Sequence, residues 1–198
     1  MTTKSNLLKQ FRIVLCKTSH AGNIGSVARA MKTMGFSDLY LVNPKDFPSD
    51  HANALSCGAE DILRKANVVS SLGAALKDIN HVVGFTARKR ELTQPHKNVR
   101  ELSEQLINEA SDNSIAIIFG NETNGLSNIE LQQCQTLGFI DASLKYSSLN
   151  LAHSVQIVCH EIRMMSNLPI KNNILKKYPK NMFHISYKMA SILISKKS

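Results

Sequence analysis

The chain has 198 residues, of which 43% are hydrophobic and 20% charged, and 24 Lys plus Arg against 15 Asp plus Glu give a formal charge of +9. That length and composition suit one domain with its own core and exclude a disordered, fibrous or disulfide-stapled chain. No apolar run approaches the ~20 residues that a bilayer span needs, and residues 1–10 are polar without the apolar segment of a secretory leader, so a soluble, cytoplasmic protein is expected.

In chain order, apolar runs alternate with helical patterns. Phe11–Cys16 (FRIVLC) reads as a first strand. Ile24, Val27, Ala28, Met31 and Met34 recur at helical spacing, which predicts an amphipathic helix over 23–35 closed by Gly35. Residues 39–42 read as a second strand stopped by Asn43-Pro44, with a short helix around 52–57. A brief strand at 68–69, a short helix at 72–76 and a strand at 82–86 follow, leading into a polar loop through Pro95. Val99–Glu109 reads as a helix. Ile115–Phe119 (IAIIF) is continuously apolar and β-branched, the pattern of a central strand buried on both faces. Ser127 with Glu130 three residues on is a capping-box signature. A last short strand at 139–140 precedes a long helix over 149–165, with Leu151, Val155, Val158 and Ile162 on one face.

This alternation predicts an α/β fold, a mostly parallel sheet flanked by helices, in a domain over 1–168 with a Lys-rich extension over 169–198. The extension holds seven lysines and no acidic residue after Pro169, which leaves only +2 on residues 1–169. Such a segment suits a polyanionic partner through counterion release, or else a solvated solubility tail. Cys16, Cys57, Cys134 and Cys159 share no C-x-x-C spacing and read as reduced core thiols. The seven histidines are scattered and no metal-ligand spacing appears, so no metal is expected.

Ligands of parallel sheets bind outside the carboxyl ends of the strands, and the loops there carry the distinctive residues. After the first strand, Gly22 and Gly25 would let backbone approach a ligand, Asn23 can cap the helix, and Arg29 lies opposite the apolar stripe, where a plain surface arginine is the simpler alternative. His20 sits in the same loop. After residues 82–86 come Arg88, Lys89 and Arg90, whose guanidinium forks suit phosphate. Residues 120–126 (GNETNGL) frame Glu122 between two glycines. Residues 143–150 end on Ser147, Ser148 and Asn150, and either serine could be a simple helix cap. Dinucleotide and triphosphate-binding fingerprints are absent.

Three of these blocks together, Asn23-x-Gly25-x-x-x-Arg29, Ile117-Ile118-Phe119-Gly120-x-Glu122-x-x-Gly125-Leu126 and Ser148-Leu149-Asn150-Leu151-Ala152, resemble the three motifs of the SpoU, or TrmH-like, branch of the SPOUT RNA methyltransferases. Residues 18–35, Leu41-Val42-Asn43-Pro44, Ala87-Arg88-x-Arg90 and Tyr146-Ser147-Ser148 narrow the resemblance to its tRNA (cytidine/uridine-2′-O-)-methyltransferases, over roughly residues 11–165. Asn121 and Phe85 depart from that subfamily's usual pattern. The resemblance implies a C-terminal trefoil knot, a homodimer, and S-adenosylmethionine held by Phe85, Thr86, Ala87, Gly120, Ile140, Ser147, Ser148 and Leu149. It implies methyl transfer to a ribose 2′-hydroxyl at anticodon-loop position 32 of tRNA, with Arg29, Asn23, Ser148 and Asn150 as catalytic residues. Arg88, Lys89 and Arg90 would bind RNA, and Glu122 and Gly125 would order the second motif's turn. Another RNA target such as rRNA, or a non-catalytic RNA-binding module on the same scaffold, are the alternatives.

Overall fold

A computed structural model describes residues 7–87, 94–143 and 145–168. The described residues belong to one compact unit. The Lys-rich extension and the expected RNA-binding residues Arg88, Lys89 and Arg90 lie outside the described residues.

Seven strands form one sheet: β1 (Phe11–Cys16), β2 (Asp38–Val42), β3 (Asn67–Val69), β4 (His81–Phe85), β5 (His96–Asn98), β6 (Ile115–Phe119) and β7 (Thr136–Phe139). They run in the order β3-β2-β1-β6-β4-β7-β5, and every pairing is parallel. β6 is central: Ile115 pairs with both Phe11 and His81, and all five of its residues are buried. Helices α1 (Ala21–Met34), α2 (Asp50–Ser56), α3 (Glu60–Lys65), α4 (Leu72–Ala75), α5 (Val99–Glu109), α6 (Asn128–Leu131) and α7 (Leu151–Asn167) connect and cover it.

Because strand side chains alternate, the sheet divides its apolar residues between two cores. Ile13, Leu15, Val83, Ile115 and Ile117 pack with Ile24, Val27 and Met31 of α1, Leu102 and Leu106 of α5, and Val155, Val158 and Ile162 of α7. Val14, Cys16, Val82, Ala116 and Ile118 face the other way, onto Leu72, Ala75, Leu131 and Cys134. Each such aliphatic side chain contributes about 1.5–3 kcal/mol by leaving water. The stripe predicted for α1 is the stripe it buries, and Arg29 is left exposed on the opposite face.

Several details differ from the sequence reading. β5 and α3 were not expected; β5 is His-Lys-Asn, a polar edge strand whose backbone pairs with β7 and whose Lys97 donates to Gln105 of α5. The last strand covers Thr136–Phe139 rather than 139–140, since Thr136 and Leu137 are the buried, paired residues. Gly22 and Gly25 do not face a ligand. A Cβ on Gly25 would overlap the Ala52 carbonyl and one on Gly22 would meet Leu55, so these glycines let α2 pack against α1. Cys57 is exposed at the end of α2, whereas Cys16, Cys134 and Cys159 are buried. Burial, reinforced by Glu130, pushes the Cys16 and Cys134 thiols up to about 12, as inert core thiols require.

Candidate active site

Loops following β4, β6 and β7 and the approach to α7 enclose a cavity of about 230 Å³ at the carboxyl end of the sheet. Its floor is apolar: the Phe85 and Phe119 rings stack with centroids 5.5 Å apart, and Ile140, Leu149 and Leu151 complete it. Thr86, Asn121, Ser147, Ser148 and Ser154 supply polar groups. All eight residues expected to hold the cofactor, Phe85, Thr86, Ala87, Gly120, Ile140, Ser147, Ser148 and Leu149, line this one cavity.

The second-motif turn is ordered by a residue that departs from the subfamily pattern. The Asn121 side-chain oxygen accepts from the backbone N–H of Thr123 (3.1 Å) and Asn124 (2.7 Å), and its carbonyl accepts from Gly125 N (3.0 Å). Gly125 closes the turn at φ +67°, a left-handed position that suits glycine. Asn121 thus shares in ordering the turn expected of Glu122. The Glu122 carboxylate also reaches across to the first motif. Oε2 accepts from Ser19 N (3.0 Å) and Ser19 Oγ (2.7 Å), and Oε1 accepts from Asn23 Nδ2 (2.8 Å) and His20 N (3.3 Å). Burial alone would raise the Glu122 pKa, but the bonds from Asn23 and Ser19 outweigh it and hold the group at about 2.

The chain of bonds continues into the third motif. Asn150 Nδ2 donates to Asn23 Oδ1 (3.0 Å), while Asn150 Oδ1 accepts from the N–H groups of Ala152 (2.8 Å) and His153 (3.3 Å). Asn150, not either serine, is thus the cap of α7, and Ser147 and Ser148 turn to the cavity. Asn23 likewise does not cap α1; it lies inside that helix, after His20 at the cap position. Since the Asn23 oxygen accepts from Asn150 and its nitrogen donates to Glu122, the three motifs are locked by one chain, Glu122–Asn23–Asn150.

On the far side of Asn150 lies a groove of about 430 Å³ lined by Asn23, Ser26, Arg29, Asn150, His153 and Gln156, among others. Arg29 is exposed there, and no carboxylate pairs with it among the described residues. An unneutralised guanidinium in a polar groove is a ready partner for a phosphate. Local sequence offered no sign of the Glu122–Asn23 bond, which joins residues 99 positions apart. Among the described residues no three His, Cys, Asp or Glu side chains converge as metal ligands would, and no helix is long and apolar enough to cross a membrane.

Comparison with known proteins points the same way. Residues 10–160 match the SpoU rRNA Methylase family. The chain is 49% identical, over 158 residues, to the tRNA (cytidine/uridine-2′-O-)-methyltransferase TrmJ of Photorhabdus laumondii, covering 80% of this chain and 66% of that one. It is 51% identical to the TrmJ of Sodalis glossinidius, over 80% of this chain and 62% of that one. The chain thus spans a little under two thirds of the length of these relatives. A crystal structure of TrmJ from Z. mobilis superimposes with a TM-score of 0.74 at 29% identity, over 93% of this chain and 79% of that one.

Proposed function

Because the chain belongs to the SpoU rRNA Methylase family, we propose that it is an S-adenosylmethionine-dependent methyltransferase. Its acceptor is a ribose 2′-hydroxyl of tRNA, at anticodon-loop position 32. One observation carries this reading: the Glu122–Asn23–Asn150 chain stands between a cavity suited to a nucleoside and an unpaired arginine suited to a phosphate. The cavity fits the cofactor chemically, since the aromatic and aliphatic floor suits an adenine ring and the hydroxyls of Thr86, Ser147 and Ser148 suit its polar parts. Bound there, S-adenosylmethionine supplies an electrophilic methyl group on a sulfonium.

The remaining work falls to this chain's own residues. A protonated ribose hydroxyl is a poor nucleophile, so the site must align it and stabilise the negative charge that grows on oxygen as its proton passes to water. Arginine stays protonated at neutral pH and cannot serve as a base in the literal sense. Arg29 instead clamps the phosphate beside the reacting ribose through its planar fork and stabilises the developing alkoxide. Asn150, fixed at both ends of its amide, orients the ribose from the wall between groove and cavity, and Ser148 holds the hydroxyl from the cavity side. Glu122 acts one step removed, by fixing Asn23. The homodimer, the C-terminal trefoil knot, the cytoplasmic setting and RNA binding by Arg88, Lys89, Arg90 and the basic extension belong to the same reading. The exposed Leu55 and Leu149 support a covered surface beside the two cavities.

The test is incubation of the full chain with unmodified tRNA and methyl-labelled donor, followed by alkaline hydrolysis. A 2′-O-methyl group protects one linkage from cleavage, and the protected nucleotide should map to position 32. Label on rRNA alone would move the substrate, and binding without transfer to any RNA would leave a non-catalytic RNA-binding module.

A further inference from the structure

Tyr146 is the one exposed Phe or Tyr among the described residues, at 78% exposure, while Tyr40 and each described Phe are buried or half-buried. It packs into neither core, so folding does not account for it. Its position is nevertheless fixed. Tyr146 N donates to the Ser143 carbonyl (3.1 Å) and Lys145 N donates to Ser143 Oγ (3.3 Å), closing a tight turn. Immediately after it, Ser147, Ser148 and Leu149 line the cavity, and Asn150 is anchored at the start of α7. Tyr146 therefore stands on a short segment whose backbone is tied at both ends, immediately before residues that line the cavity, with Lys145 beside it in sequence.

Resting on the methyl-transfer reading above, we propose that Tyr146 is the platform on which an RNA base stacks, so that the attached or adjoining ribose is held at the cavity mouth. The physical need is plain. An aligned 2′-hydroxyl requires its nucleotide to be held still, and unpaired bases in RNA loops are held by stacking on exposed aromatic rings. Tyrosine suits this role because its ring is large and has only two side-chain torsions to immobilise. Arg29 and Tyr146 then divide the work, with the arginine taking the phosphate on one side of the Asn150 wall and the ring taking the base on the other. Tyr146 is a positioning residue in this scheme, since it touches the nucleotide but not the reacting atoms.

The test uses the full-length chain as wild type, Tyr146→Ala and Tyr146→Phe, with a tRNA anticodon stem-loop carrying 2-aminopurine at each loop position in turn. Stacking on the ring should quench the fluorophore at one position in the wild type and in Tyr146→Phe, and Tyr146→Ala should lose that quench. KM for RNA should rise roughly 5- to 150-fold in Tyr146→Ala, the range expected for one lost base stack. Turnover at saturating RNA and cofactor affinity by calorimetry should stay close to wild type, and Tyr146→Phe should restore KM. An unchanged RNA affinity in Tyr146→Ala would overturn the proposal. So would a fall from dimer to monomer in sedimentation, which would assign the ring to a protein contact. A wild type that quenches at one position yet never transfers a methyl group would retain the platform and sink the methyltransferase reading.

Discussion

At the carboxyl ends of the strands, Glu122 gathers Ser19, His20 and Asn23; at the amino ends, Glu109 gathers Gln105 and His81, and His81 in turn meets Thr136. In both carboxylates burial pushes the pKa up and hydrogen bonds override it, so that both groups sit below their ordinary value. On paper the amino-end cluster looks the more catalytic, because Glu109 Oε2 to His81 Nδ1 (2.6 Å) and His81 Nε2 to Thr136 Oγ1 (2.9 Å) repeat the acid–imidazole–hydroxyl order of a nucleophile relay. Yet Thr136 is buried, and neither cavity reaches it. The carboxyl-end web has no imidazole in its bonds but separates two openings, one with an apolar floor and one holding Arg29. A perturbed carboxylate marks chemistry only where a ligand can reach what it positions.

The sharpest way to test that contrast is to remove the unpaired cation of the groove beside Asn150. Arg29→Ala should cut methyl transfer by on the order of 10²–10³-fold, the usual loss when a charge-stabilising donor is deleted. Cofactor affinity by calorimetry should stay within about twofold, because Arg29 does not line the cavity. Arg29→Lys should recover little, since an ammonium cannot replace a bidentate fork; near-normal turnover in that variant would remove the clamp from the mechanism.

Glu122→Gln asks whether the web matters through positioning alone. The amide keeps the side chain's shape but turns two N–H groups toward Ser19 or Asn23, which are themselves donors. Misplacing Asn23 and Asn150 should lower turnover by up to ~10²-fold, with the phosphate clamp intact. The pH signature is separate. With a folded pKa of about 2 against an ordinary 4.5, the ionised group adds stability that is fully present above pH 4.5 and is lost as pH falls through 2. Thermal melts should therefore show wild type and Glu122→Gln converging between those two values. A stability gap that stays constant down to pH 2 would contradict the assigned bonds.

How far the sequence foretold all this depends on the range of the interaction. β6 and the α1 stripe were legible because burial on both faces of a strand, or along one face of a helix, leaves a local apolar pattern. β5 was not, since His-Lys-Asn has no such pattern and only its backbone pairing with β7 makes it a strand. Gly22 and Gly25 were noticed for the right reason, close approach, but which neighbour approaches is decided by α2 some thirty residues on. At the site, local capping rules offered Ser147 or Ser148; the fold instead makes Asn150 the cap, tied to Asn23, and leaves the serines to the cavity. The motif resemblance named residues that the fold brings to one end of the sheet, whereas the partners of Glu122 required the fold.

The smallest expected effect comes from the amino end, and it completes the contrast. Glu109 accepts from Gln105 Nε2 at one oxygen (2.7 Å) and meets His81 at the other, so Glu109→Gln must turn a donor toward one of them. His81 can absorb the change by switching tautomer: its Nε2–H then donates to the Thr136 hydroxyl and its Nδ1 accepts from the new amide. The loss should thus be limited to about 1–2 kcal/mol, one charged hydrogen bond exchanged for a neutral one, or a few degrees in Tm. Because the Glu109 carboxyl is held below its ordinary 4.5, the wild type's advantage should be complete above that pH and fade as pH falls beneath it. Turnover per folded molecule should match wild type within about twofold, since Glu109 lines neither cavity. If Glu109→Gln melted normally but lost methyl transfer, the amino-end relay would have to communicate with the site through β4 or β7, and the division between a positioning end and a packing end would fall.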